Sequence, residues 1–185
     1  MEERKLKFID ATEDYYESIK QLCDDSFGTG YIDRREYEKW LLNPGLFNVA
    51  LIDDDFAGFS VMIPAGVEDI MKHMGMEKAE VLAMMDHRPA LIYKSVAVRS
   101  IYRKNGLLAG LIKALLFNAK DLGYGSVFLS AWTYGGKTPV ANSLMSLNFS
   151  RLYERHMLWH HNENYRCVIC DGRCGCDAVI YYKNL

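Results

Sequence analysis

The chain reads as a mixed α/β (α+β) domain, with antiparallel strands in its N-terminal part, a central parallel β-α-β unit, and a metal-binding type of insertion near the C-terminus. Three observations carry this reading. Apolar runs of strand length alternate with apolar stripes of helical spacing along most of the chain. Two of the strand-like runs, A-L-I-Y-K-S-V-A-V and S-V-F-L-S-A-W, flank a long apolar helix, an order that makes them parallel. Four of the five cysteines crowd into C-V-I-C-D-G-R-C-G-C, Cys167 to Cys176.

With 185 residues, half of them apolar, the chain is long enough for one well-buried core and short for two domains. A single domain over 1–185 is expected. Charged residues make up 25% of the chain and the formal net charge is −2, which excludes the disordered and fibrous classes and offers no broad footprint for nucleic acid. The first residues lack an apolar leader segment, and no apolar run is long enough to span a bilayer, so a soluble, cytoplasmic protein without membrane contact is the expectation.

K-L-K-F-I-D, Lys5 to Asp10, alternates like a short strand, and Thr12 with the acidic residues after it opens a helix whose stripe holds Tyr15, Ile19, Leu22 and Phe27. Asp33 caps a second, shorter helix that Asn43-Pro44 should end. L-F-N-V-A-L-I and F-A-G-F-S-V-M-I-P, joined by Asp53, Asp54 and Asp55, form a hairpin. The stretch from Gly66 to His87 turns helical, with Ile70, Met74, Val81 and Met85 on one side. It holds five of the nine methionines, which cover the core or line an acceptor pocket; a helical insertion over 66–88 is expected.

The strand ending at Val98 is followed by S-I-Y-R-K-N-G-L-L-A-G-L and a helix that Gly123 terminates. A strand follows, then a helix starting at Pro139, a long strand F-S-R-L-Y-E-R-H-M-L-W-H, and a last strand A-V-I-Y-Y. The turn meets neither standard phosphate fingerprint. It does bring a helix N-terminus, with unpaired N–H groups and the positive end of the dipole, next to Arg99, Arg103 and Lys104; cations there oppose the dipole unless an anion is bound.

Strand, R-x-x-G turn, long apolar helix ending D-L-G-Y, strand, then helix and aromatic strand: this order resembles the GNAT superfamily of N-acetyltransferases. The resemblance implies a GNAT-like acyl-CoA N-acyltransferase fold, with acetyl-CoA as cosubstrate. It places backbone hydrogen bonds to the pantetheine arm at Val96, Ala97 and Val98, and the pyrophosphate on Arg103, Lys104, Asn105, Gly106, Leu107 and Leu108. T-P-V-A-N-S-L-M-S-L-N-F is similar to the family's later helix and puts Asn142 in reach of the CoA arm. Two positions depart from the pattern. Leu108 stands where the family has Gly or Ala, so either its side chain turns into the core or CoA binding is weakened. Met145 stands where the family often has a general-acid Tyr; Tyr134, Tyr153 or Cys174 are substitutes, with water as another proton source.

A base for a protonated amine is sought among Glu68, Asp69, Glu154 and His156. The cysteine spacing, C-x-x-C-x-x-x-C-x-C, offers Cys167, Cys170, Cys174 and Cys176 for a structural zinc, with His156, His160 or His161 as replacement ligands. An iron–sulfur cluster, a redox dithiol and four unligated thiols stand beside that reading. The expected activity is transfer of an acetyl group from acetyl-CoA to a primary amine of a small molecule or peptide, by direct attack in a ternary complex. The alternative is a non-catalytic binding or sensing protein with a degenerate CoA site and a zinc-stabilised partner-binding segment. Oligomeric state is left open, a homodimer included.

Overall fold

In the computed structural model, which describes residues 5–185, β1 (Leu6–Asp10) lies antiparallel to β2 (Phe47–Ile52), and β2 turns back into β3 (Asp55–Ala65). Asp53 and Asp54 sit at φ 52° and 69°, the left-handed pair of a two-residue hairpin whose twist matches that of the strands. The sheet continues with β4 (Ala90–Val98), β5 (Ser126–Thr133), β6 (Ser150–Arg155) and β7 (Asp177–Asn184) in the spatial order β1-β2-β3-β4-β5-β7-β6. Every neighbouring pair is antiparallel except β4 and β5, which are parallel.

Helices cover both faces. On one face α1 (Tyr16–Ser26) and α2 (Arg34–Leu41) bury Ile19, Leu22, Tyr37 and Trp40 against Phe47, Val49, Phe59 and Val61. The cap is as the sequence implies, Glu36 N–H donating to Asp33 Oδ1 at 2.7 Å. On the other face α5 (Leu107–Asp121) buries Leu111, Ile112, Leu115 and Ala119, and the short α6 (Ala141–Ser146) adds Leu144. No helix among the described residues is long and apolar enough to cross a membrane.

Two elements differ from the sequence reading. The 66–88 stretch is two helices, α3 (Val67–Met74) and α4 (Lys78–Met85), separated at Gly75, whose φ of 62° takes the chain out of the helix. Ile70, Met74, Met76 and Val81 pack on Ile92, Phe128 and Ile180, so this pair lids the sheet. The long strand expected after Phe149 stops at Arg155. Its partner β7 begins only at Asp177, which pairs no further than Ala178 with Arg155, and Asp177 Oδ1 instead takes the N–H of Met157, a residue at φ 48°. Residues beyond Arg155 have no strand to pair with and form turns.

The feature that positions the site is the shortness of the parallel contact. β4 and β5 pair only through Ala90–Ser126, Leu91–Val127 and Ile92–Phe128, and then separate.

Candidate functional site

Beyond Ile92 and Phe128 the diverging strands open a cleft of about 970 Å³. Along its floor, β4 from Tyr93 to Val98 keeps β3 on one side and has no strand on the other; the carbonyls of Lys94 and Val98 accept from the side chains of Tyr31 and Arg103, and the remaining backbone N–H and C=O groups on that side are left for an extended guest. A bulge falls at the start of this free edge. Val61 pairs with Ser95 and Met62 with Tyr93, which leaves Lys94 as the extra residue. Val96, Ala97 and Val98 all line the cleft.

The turn after β4 delivers the N-terminus of α5 to one end of the cleft. Lys104 at φ 66° and Gly106 at φ 75° are both left-handed, and an added Cβ at Gly106 would meet nothing within 4 Å, so glycine is needed there for its backbone and not for space. The first helical bond runs from Gly110 N–H to Gly106 O at 3.0 Å, so the amides of Leu107, Leu108 and Ala109 precede it and have no acceptor inside the helix. Arg103 Nε donates to Val98 O at 2.9 Å and thereby fixes the turn to the end of β4. Arg103, Lys104, Gly106, Leu107 and Leu108 line the cleft, as does Asn142 of α6; Asn105 lies in the same turn but is not part of the lining. Leu108 packs its half-buried side chain on the core between α5 and the sheet, as one of the two arrangements open to it requires.

The other end is built by α1, α2 and the loop between them. Tyr31, Asp33, Glu36, Lys39 and Lys94 line it, with Trp132, Tyr134, Trp159 and Tyr165 across the opening. Lys94 Nζ is 3.9 Å from Glu36 Oε1, and Lys39 Nζ is 3.5 Å from Glu36 Oε2. Burial lowers the Lys94 ammonium pKa from its ordinary value; Glu36 pulls it back up and Lys39 adds to the lowering. Of the acid–base candidates that the sequence suggests, Tyr134 reaches the cleft. Glu68 is on the exposed side of α3, 3.9 Å from Lys78, and Tyr153 on β6 lies under the Arg155 guanidinium at 4.4 Å; neither lines the cleft. Glu154 pairs with Arg151 at 2.5 Å, and His156 with Asp177 at 2.7 Å, both on the surface. Asp69 caps α3 by accepting from Gly66 N–H at 3.1 Å. Met145 is 57% exposed on α6 and is not part of the lining. Sequence reasoning missed Glu36 and Lys94. Glu36 reads as a solvated helix residue beside a cap, and only the bulge, which has no local signature, aims Lys94 at it.

The cysteine segment forms a knuckle. Cys167 and Gly172 bridge through a 2.8 Å bond, Asp171 turns the chain at φ 48°, and Gly175 N–H donates to Cys170 Sγ at 3.4 Å. The sulfurs of Cys167, Cys170, Cys174 and Cys176 all lie within 4.8 Å of one another, a set of four that could hold a metal ion. Burial works to raise the Cys167 thiol, but backbone N–H groups of Cys170 and Ile169 donate to its sulfur and hold it below the ordinary range. Burial raises Cys174 and Cys176. No histidine belongs to the group; His160 is 3.2 Å from the Cys174 carbonyl oxygen and so engages backbone. Cys23 is fully buried in α1, where burial pushes its thiol up.

No protein-family model matches the chain, and no curated protein matches it in sequence. Solved structures match it over nearly their whole length. The NatC complex bound to Gag peptide and CoA superposes with a TM-score of 0.69 at 16% identity, covering 98% of this chain and 99% of that one. A Drosophila melanogaster polyamine N-acetyltransferase gives 0.70 at 14% identity, covering 98% and 100%. Arabidopsis thaliana Naa50 in complex with the bisubstrate analogue CoA-Ac-MVNAL gives 0.68 at 12% identity, covering 97% and 99%. The fold is that of the GNAT N-acetyltransferases.

Proposed function

We propose that this chain is an N-acetyltransferase that uses acetyl-CoA and a primary amine on a small molecule or peptide. The observation that carries the reading is the conjunction, in one cleft, of the free edge of β4 and the unpaired amides at the start of α5. An acyl-CoA has complementary parts: a pantetheine arm whose amides suit Val96, Ala97 and Val98, and a pyrophosphate that suits the turn from Arg103 to Leu108 and its cations. Asn142 faces this arm from α6. The fold shared with structures that carry CoA or a CoA conjugate supports the same pose.

In this reading the amine enters from the Tyr31–Glu36 end. Its lone pair attacks the thioester carbonyl, the C–N bond forms, the C–S bond breaks, and CoA leaves as the thiolate. Only the neutral amine attacks, so a base must hold the ammonium proton. Asp33 is committed to its cap, which leaves Glu36 as the carboxylate of the cleft that takes the proton. Tyr134 is the hydroxyl assigned to return a proton to the thiolate, with Met145 unable to do so. A half-buried, partly aromatic acceptor end fits an amine whose carrier has apolar surface to cover.

The knuckle is assigned to zinc. A tetrahedron with Zn–S of about 2.3 Å sets its sulfurs about 3.8 Å apart, and Cys167–Cys176 and Cys170–Cys176 are 3.9 and 3.6 Å. A multi-iron cluster would need its thiolates spread further. Four protein ligands leave no open position, so the metal would hold structure and take no part in acetyl transfer.

Titration with acetyl-CoA by calorimetry, followed by labelled acetyl transfer to a panel of peptides, agmatine and polyamines, tests the reading. Saturable binding and transfer to one class of amine are expected. Absence of binding at millimolar acetyl-CoA overturns it and leaves the non-catalytic alternative.

A further inference from the structure

The knuckle does not stand apart from the cleft. The backbone leading into it runs beside the loop between α1 and α2: Arg166 N–H donates to Thr29 O at 2.8 Å, Val168 N–H to Phe27 O at 2.9 Å, and Tyr165 Oη to Phe27 O at 2.7 Å. Two glycines make that approach possible. A Cβ on Gly28, at φ 120°, would lie 1.9 Å from Arg166 O, and one on Gly30, at φ 78°, would lie 2.0 Å from Asn164 O. Phe27, Tyr31, Trp132, Tyr134 and Trp159 pack against the cluster of Tyr165, Cys167, Cys174 and Cys176. The same five aromatic residues line the cleft. One aromatic layer therefore has the thiolate group behind it and the acceptor end in front.

Most of the CoA end has no share in this layer, although Ala97 belongs to the α1–α2 core on which Phe27 and Tyr31 also pack. Val96, Val98, Leu107 and Leu108 pack on the core around α5, which contains none of the knuckle residues.

Building on the acetyltransferase and zinc assignments above, we infer that the metal is a clamp on the acceptor end: the tetrathiolate site holds the 164–168 segment against the 27–31 loop, and its occupancy sets the shape of the acceptor wall while leaving the CoA end intact. The physical reason is that this part of the chain has no regular secondary structure to order it. The stretch from His156 to Cys176 contains no helix or strand, and Val168 and Ile169 at the knuckle tip are about half exposed, so the three hydrogen bonds and the aromatic packing at 165–168 depend on the knuckle keeping its shape.

The test uses the full chain as purified. Elemental analysis measures zinc per chain, and hydrogen exchange compares the metal-loaded protein with protein stripped by a strong chelator, with acetyl-CoA affinity read by calorimetry on both. The expected result is near one zinc per chain. Stripping should then speed exchange about tenfold or more at the Arg166 and Val168 amides and across residues 27–31, with acetyl-CoA affinity changed less than about twofold because Val96, Val98 and the α5 turn pack on a core that holds none of the knuckle residues. Tyr165→Phe provides a milder variant: it keeps all four ligands, should retain zinc, and should speed exchange at the same amides by a smaller factor. Exchange at 27–31 that ignores metal removal overturns the clamp while leaving the zinc site standing. A rise spread over the whole sheet also overturns it, since the metal would then be a global folding element. Zinc-free protein as purified overturns both. Absence of acetyl-CoA binding in the loaded protein removes the acetyltransferase reading, and the exchange pattern then still decides whether the metal orders the loop.

Discussion

The Tyr31 hydroxyl donates to the carbonyl oxygen of Lys94 across 3.2 Å, and so ties the loop between α1 and α2 to the one residue of β4 that the bulge leaves without a partner on β3. The bond spans the width of the acceptor end. It also explains how a surface loop keeps a fixed distance from the floor of the cleft.

Removing that hydroxyl should be felt in stability and not in CoA binding. Tyr31→Phe keeps the ring contacts with Phe27 and Tyr165 but leaves a half-buried carbonyl without its donor, a cost of about 1 kcal/mol. Denaturant unfolding of the variant should show that loss. Acetyl-CoA affinity should be unchanged, since Tyr31 belongs to the opposite end of the cleft from the α5 turn.

Leu108 gives the second prediction. Because its side chain packs on the core, shortening it should cost stability without tightening CoA binding. Leu108→Ala should destabilise by about 2 kcal/mol, the low end for a leucine because this one is only half buried. Calorimetric Kd for acetyl-CoA should stay within about threefold of the parent. A large gain in affinity would mean that the side chain obstructs the phosphate after all.

These two residues mark what sequence could and could not supply. The strand, turn and helix around Gly106 were legible because each part has a local signature: β-branched residues, a glycine where φ is positive, an apolar helical stripe. The hairpin at Asp53–Asp54 and the Asp33 cap were legible for the same reason. The insertion of β7 between β5 and β6 was not, nor the early end of β6, because both depend on which strand edge is free once the sheet assembles. The four thiols were visible as a group, but their contact with Phe27 and Tyr31 joins segments some 138 residues apart in sequence, as the Tyr165–Phe27 bond records. Glu36 and Lys94 met only through the bulge.

Lys94 yields a prediction in pH. Burial depresses its pKa below the ordinary 10.5, so between the folded-state value and 10.5 the unfolded chain binds more protons than the folded one. Stability must therefore rise with pH through that window. Below it, both states carry the charge and the full penalty of burying it is in force. Lys94→Met removes the penalty while keeping the length of the side chain. The variant should be more stable than the parent at neutral pH, and the difference should shrink as pH climbs toward 10.5. Unfolding free energies measured in parallel at several alkaline pH values would check this, the difference between the two proteins cancelling any titration of the shared thiols. A gap that stays constant with pH would show that Lys94 keeps its ordinary pKa in the fold.

Glu36 bears on the chemistry itself. If its carboxylate takes the ammonium proton, Glu36→Gln keeps the size of the side chain and an oxygen to accept from Trp40 Nε1, which now donates to Glu36 at 3.2 Å, yet cannot hold that proton. The kcat for the amine identified in the acceptor panel should fall by about 100-fold at pH 7, the lower end of what a positioned base contributes. Acetyl-CoA Kd should not move. The loss should also depend on pH in a particular way. As pH approaches the pKa of a simple primary amine, about 10 on the lysine scale, more acceptor arrives already neutral and the variant should regain rate relative to the parent. A variant that is slow by the same factor at every pH would assign Glu36 to positioning the acceptor, and one that is not slow at all would leave the proton to solvent.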